Sequence, residues 1–183
     1  MTDSFGPSAL ATPANAVTIG RVLLTPVLLV AIAGGGASWA ALALWIALSA
    51  SDGIDGYLAR RHGVTRSGAF LDPLADKFLV LGAMAVLVAT GTFWWLPVAL
   101  IAGREIAMSL YRSVASRSGV SVPARRSAKV KTVVQELAVG LAICPAFEDH
   151  PGIAVAVLWV ATALTLVTGA QYWMEARRSA HAM

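Results

Sequence analysis

The chain has 183 residues, 57% of them hydrophobic and only 13% charged, against about 25% charged in ordinary soluble domains. That balance argues against a water-soluble globule. A disordered chain, a disulfide scaffold (Cys144 stands alone) and a coiled coil are excluded too. The net charge of +4 is confined to a few short stretches, and a lipid bilayer suits the remainder as solvent.

The first 14 residues, MTDSFGPSALATPA, read as a disordered polar start without the basic region of a signal peptide, and residues 15–183 as one membrane domain. A helix needs about 20 apolar residues to cross roughly 30 Å of hydrocarbon. Six such runs occur in chain order, over 17–34, 39–60, 70–90, 94–115, 128–147 and 153–174. Backbone polar groups in lipid must bond within their own segment, so each run is predicted to be helical. The fold class expected is all-α, a polytopic membrane protein with six transmembrane helices.

The connections after runs one, three and five (GGGAS, TGTFWW and PAFEDHP) lack Lys and Arg, whereas those after runs two and four carry Arg61, Arg66, Arg117, Arg125 and Arg126, and the tail carries Arg177 and Arg178. The positive-inside rule then places both termini in the cytoplasm and the chain in the cell (inner) membrane. Gly34-Gly35-Gly36 reads as a tight outer turn, and Trp39, Trp94, Trp95 and Trp159 as interfacial anchors. Pro26 and Pro97 mark helix starts or kinks. Cations beside membrane spans suit anionic lipid headgroups and phosphorylated substrates, and give no support to a nucleic-acid partner.

Carboxylates within apolar spans need a reason, because each is expensive there. Run two ends SASDGIDGYLARR, with Asp52 and Asp55 three apart; run three begins GAFLDPLADKFLVLG, with Asp72 and Asp76 four apart. Each pair occupies one helix face. A short turn makes the two helices antiparallel neighbours, so the four acids can meet at the cytoplasmic boundary. Together they would repel unless cations neutralise them. One or two divalent ions meet that need, and oxygen-only ligands favour Mg²⁺ or Mn²⁺. Gly56, Ala59 and Gly68 leave room for a flat ligand near the backbone, and Arg60 is a cation able to grip phosphate. The plain alternatives are close helix packing for the small residues and ion pairing with Arg60 or Lys77 for the acids.

The stretch from Asp52 to Asp76 resembles the signature of the CDP-alcohol phosphotransferase family: DxxDGxxAR, seven or eight residues, then GxxxDxxxD, with all eight fixed positions present in order. The six-helix reading is similar to the family's architecture as well. The resemblance implies that Asp52, Asp55 and Asp72 ligate a pair of divalent metals. Asp76 would contribute to the second ion and act as base on the incoming alcohol, while Gly56, Ala59, Arg60 and Gly68 line the cytidine-diphosphate site. It further implies CDP-diacylglycerol as phosphatidyl donor, CMP as leaving product, membrane lipids as surroundings and a homodimer.

Three further segments resemble those of the family's bacterial glycerol-phosphate-using branch. They are NAVTIGRVLLTP (Asn15 to Pro26), GREIAMSLYR (Gly103 to Arg112) and SAKVKTVVQ (Ser127 to Gln135); in the last, Ser127-Ala128 stand where a glycine commonly precedes the first lysine. They imply sn-glycerol 3-phosphate as acceptor, with Arg21, Arg112, Lys129 and Lys131 binding its phosphate. A phosphorylated acceptor needs cations converging on one pocket. Arg104 and Glu105 bind substrate or simply pair with each other or a neighbouring helix. Inositol phosphate as acceptor, or a cardiolipin-forming reaction, stays open within the same chemistry. An ion or solute transporter is the alternative of another class. His62, His150 and His181 fall on both sides of the membrane and form no single metal cluster, and Cys144 reads as a packing residue in the fifth span.

Overall fold

A computed structural model describes residues 13–35, 37–62, 66–117 and 126–181, with side chains for 16–35, 37–51, 74–113, 129–172 and 174. Among the described residues there are six α-helices and no strand: α1 (Pro13–Gly35), α2 (Trp39–His62), α3 (Arg66–Ala89), α4 (Trp95–Arg117), α5 (Arg126–Ala142) and α6 (Pro151–His181). One helix corresponds to each apolar run.

The boundaries depart from expectation where proline intervenes. α1 opens at Pro13, ahead of the 14-residue limit, because a first helical position needs no N–H. It continues through Gly34 and Gly35, so the turn starts later than the glycine triplet suggests. Pro26 is accommodated inside α1 rather than at an end. The fifth run was expected to 147, yet α5 stops at Ala142. Pro145 lacks an N–H and holds Cys144 extended (φ −82°, ψ 120°), and residues Pro145–Phe147 form a 3-10 turn. Cys144 therefore lies in the connection. α6 is longer than its run, opening at Pro151 and reaching His181.

α1 packs along both α2 and α3, while α6 packs along both α5 and α4; lighter contacts of α3 with α4 and α5, and of α2 with α5, join the two triplets. Direct contact between α2 and α3 is slight among the described residues, so α1 is their shared support. Leu28, Ile32, Trp45, Leu79, Met84, Ile101, Val139, Ile143 and Leu158 form the apolar core. Gly91 turns the chain from α3 towards α4 at φ +80°, a conformation that favours glycine.

Polarity is distributed the reverse of a soluble protein's. Arg21, Lys131, Gln135, Thr162 and Thr165 are buried, whereas Leu23 and Val30 are 68% and 71% exposed. Exposed leucine and valine on this scale suit a lipid environment. Among the described residues, two segments are long and apolar enough to cross a membrane, Ala16–Gly35 and Pro151–Tyr172, each with mean hydropathy 2.1. Trp39–Ser51 is apolar but shorter.

Candidate functional site

A charge inside an apolar helix must find a partner, and α4 carries two adjacent ones. Glu105 Oε1 accepts a hydrogen bond from Arg104 Nη1 at 3.1 Å and another from Lys131 Nζ on α5. All three side chains are largely buried, with 13% of Glu105, 9% of Arg104 and 5% of Lys131 exposed. One turn further along α4, Ser109 Oγ donates to the Glu105 carbonyl oxygen at 2.8 Å and accepts from Lys77 Nζ on α3.

α6 supplies the remaining partners. Thr162, Thr165 and Thr168 recur every third residue, which puts them on one stripe. Thr165 Oγ1 donates to the Ala161 carbonyl at 2.6 Å and Thr168 Oγ1 to that of Leu164 at 2.8 Å. With their protons so engaged, the hydroxyl oxygens can accept. Gln135 Nε2 donates to Thr165 at 2.9 Å, and Arg104 Nη2 donates to Thr168 at 3.2 Å. Hydrogen bonds thus link α4 to α5, α4 to α6 and α5 to α6.

Asp76 is half-buried on α3 and within electrostatic reach of both Lys77 and Lys131. Lys77 also feels Glu105, Arg104 and Arg112. Four cations, Lys77, Lys131, Arg104 and Arg112, therefore share one region with Asp76 and Glu105 among the described residues. Unit charges 4 Å apart interact by about 4 kcal/mol at the effective dielectric of a protein surface, so cations gathered in this way can attract an arriving anion. Two further details point the same way. The Nε atoms of Arg104 and Arg112 are buried with no hydrogen-bond partner. The Arg112 guanidinium lies 6.0 Å from the centre of the Tyr172 ring, a cation–π separation that holds its plane in place.

Arg104 can lie against α6 because residue 169 is glycine. A Cβ there would stand 3.3 Å from Arg104 Cγ and 3.5 Å from its Nε. The head of Arg104 is fixed by Glu105 and Thr168, so its stem has little freedom to yield. Gly169→Ala is expected to destabilise the fold by about 1–3 kcal/mol, the usual range for overpacking. A lowered thermal midpoint of the detergent-purified protein checks this.

Of the expected site residues, Lys131 stands within electrostatic reach of Asp76, and Arg112 within that of Lys77 beside it. Arg21 is 1% exposed and its Nε donates to Ser51 Oγ at 3.0 Å, which ties α1 to the residue directly before Asp52. Lys129 is exposed at the start of α5. The side chains of Asp52, Asp55, Gly56, Ala59, Arg60, Gly68 and Asp72 lie outside the described residues. Among the described residues no three His, Cys, Asp or Glu side chains gather into a metal site, and Asp76 is the one member of the aspartate quartet within them. Its carboxylate is a hard oxygen donor of the type that Mg²⁺ and Mn²⁺ accept.

Sequence reasoning missed Ser109, Thr165, Thr168 and Tyr172 as members of this region, named Lys77 only as an ion-pair partner for the acids, and left the pairing of Arg104 and Glu105 open. The three-residue threonine spacing in α6 was the available signal.

Comparison with known proteins bears on this arrangement. The family model for CDP-alcohol phosphatidyltransferase matches residues 11–167. A protein of Mycobacterium tuberculosis (strain ATCC 25618 / H37Rv), named as a probable phosphatidylglycerophosphate synthase, is 38% identical over 180 residues, covering 94% of this chain and 85% of its own. Two proteins bear the name CDP-diacylglycerol–glycerol-3-phosphate 3-phosphatidyltransferase. That of Pseudomonas fluorescens is 39% identical over 168 residues, 86% of each chain. That of Rickettsia felis is 33% identical over 173 residues, 90% of this chain and 94% of its own.

Proposed function

The chain belongs to the CDP-alcohol phosphatidyltransferase family, and on that premise we propose that it transfers the phosphatidyl group of CDP-diacylglycerol to sn-glycerol 3-phosphate, forming phosphatidylglycerophosphate and CMP. The observation that carries this reading is the gathering of Lys77, Arg104, Arg112 and Lys131 near Asp76 and Glu105. A neutral alcohol gains little from such a region, whereas a phosphate dianion gains charge-assisted hydrogen bonds. The names of the relatives support the same acceptor.

The transfer needs one bond made and one broken. A hydroxyl oxygen of the acceptor bonds to the phosphatidyl phosphorus, and the bond from that phosphorus to the oxygen shared with CMP breaks. Asp76 takes the hydroxyl proton, and CMP departs with the shared oxygen. Lys131 and Arg112 hold the acceptor's phosphate, and Lys129 draws it in from the exposed start of α5. The Arg21–Ser51 hydrogen bond favours a bracing role for Arg21 beside Asp52 over direct contact with the acceptor. Gly56, Ala59, Arg60 and Gly68 would receive the cytidine diphosphate. Asp52, Asp55, Asp72 and Asp76 would hold one or two Mg²⁺ or Mn²⁺ ions, which when bound neutralise the pyrophosphate and stabilise the leaving phosphate.

All six helices cross the cell (inner) membrane in this reading, both termini and the site face the cytoplasm, and the enzyme is a homodimer. Supporting the membrane placement are the exposed leucines and valines, the buried polar residues and the Lys- and Arg-free outer connections. The lipid's acyl chains can then stay in the bilayer while its headgroup meets a soluble acceptor.

Purified enzyme given CDP-diacylglycerol should release CMP with sn-glycerol 3-phosphate, and much more slowly with inositol phosphate, serine or phosphatidylglycerol. Preference for another acceptor would overturn the assignment. Excess EDTA is expected to stop turnover, with recovery on adding Mg²⁺ or Mn²⁺; activity that survives full chelation would exclude the metal.

A further inference from the structure

The mechanism above leaves the most connected residue of the site without a task. Glu105 touches Lys131 of α5 directly, and is linked to α6 and to α3 through one residue each of its own helix, Arg104 and Ser109. Its side-chain oxygen accepts from Lys131 on α5 and from Arg104, which reaches Thr168 on α6. Its carbonyl oxygen accepts from Ser109, which in turn receives Lys77 of α3. We propose that Glu105 is a positioning residue that holds Lys131 in the orientation that receives the phosphate of the acceptor, with Arg104 as its second partner. This assignment rests on the reading of the acceptor given above.

The physical reason lies in the chemistry of lysine. An ammonium on four methylenes has many rotamers, and burying it without a counter-charge is costly. Lys131 is nearly enclosed, so something must fix and neutralise it there. Glu105 does both, and a single carboxylate shared between two cations still leaves one unit of positive charge for an incoming phosphate. A neutral amide in its place would accept a hydrogen bond but supply no charge. Lys131 would then relax away from the position that the phosphate requires.

The test measures both substrates separately. Glu105→Gln should raise KM for sn-glycerol 3-phosphate about tenfold or more, the loss of roughly one charge-assisted hydrogen bond. KM for CDP-diacylglycerol, and kcat at saturating acceptor, should stay within about threefold, since uniform binding energy is removed. Glu105→Asp keeps the charge on a shorter stem and should recover most of the acceptor KM. It also carries the test if the glutamine variant fails to fold, because even its smaller defect must fall on the acceptor alone. A Lys131→Ala background should make Glu105→Gln nearly silent on acceptor KM, since the two substitutions then remove one interaction.

Equal changes in both KM values, loss of kcat alone, or additive effects in the double variant would each overturn the assignment. If the wild type itself releases no CMP with sn-glycerol 3-phosphate, the proposed function falls and Glu105 with it. If the wild type turns over normally while Glu105→Gln leaves the acceptor KM unchanged, the positioning role alone falls.

Discussion

Asp76→Asn is expected to lose about 10²- to 10⁴-fold in kcat, the usual contribution of a positioned general base. The amide is nearly the same size and still accepts a hydrogen bond, but it cannot take the proton of the attacking hydroxyl. Asp76 stands half-buried on α3, within electrostatic reach of Lys77 and Lys131. An acceptor whose phosphate rests on Lys131 therefore has this carboxylate among its neighbours. Binding of CDP-diacylglycerol, followed by equilibrium titration of the purified variant, should be largely kept. Turnover near the wild-type rate would refute the role as base, and loss of both binding and turnover would shift Asp76 to substrate anchoring.

Lys131→Ala is expected to have the second largest effect, on a different parameter. Hydrogen bonds to charged groups contribute about 1.5–3 kcal/mol, which corresponds to a rise of roughly ten- to a hundredfold in KM for sn-glycerol 3-phosphate. KM for the lipid should change little. Removing one member of a buried ion pair often destabilises by about 3–5 kcal/mol, but Glu105 keeps Arg104 as a partner here, so the fold should suffer less than that. Steady-state kinetics with each substrate varied in turn separate the outcomes. Equal increases in both KM values would count against an acceptor-phosphate pocket built on Lys131.

Much of this is legible in the sequence itself. Helix number followed from the six apolar runs, and the family from the aspartate spacing between Asp52 and Asp76. Periodicity gave helix existence well but ends poorly. Pro145 ended α5 five residues ahead of the apolar run's limit of 147, a local effect that hydropathy does not register. Partnering inside the site was harder to read. Arg104 and Glu105 are adjacent in sequence and so were natural candidates to pair, but that Lys131 shares the same carboxylate oxygen depends on how α5 lies against α4. Arg21 shows the limit as well: its type and place suit a phosphate ligand, and its Nε bond to Ser51 could be read only from the structure. Serine and threonine gave the weakest signal, because in apolar helices their hydroxyls bond their own backbone whether or not they serve a neighbour.

Side-chain bonds that join α4, α5 and α6 close a triangle, with Glu105–Lys131, Arg104–Thr168 and Gln135–Thr165 as its sides. A triangle braced on every side resists shear, as a truss does in a roof. No helix of the three can slide without breaking a bond that water is poorly placed to replace. The socket proposed for the second substrate would consequently be set when the chain folds, so that the entropy of ordering it does not recur with every catalytic cycle.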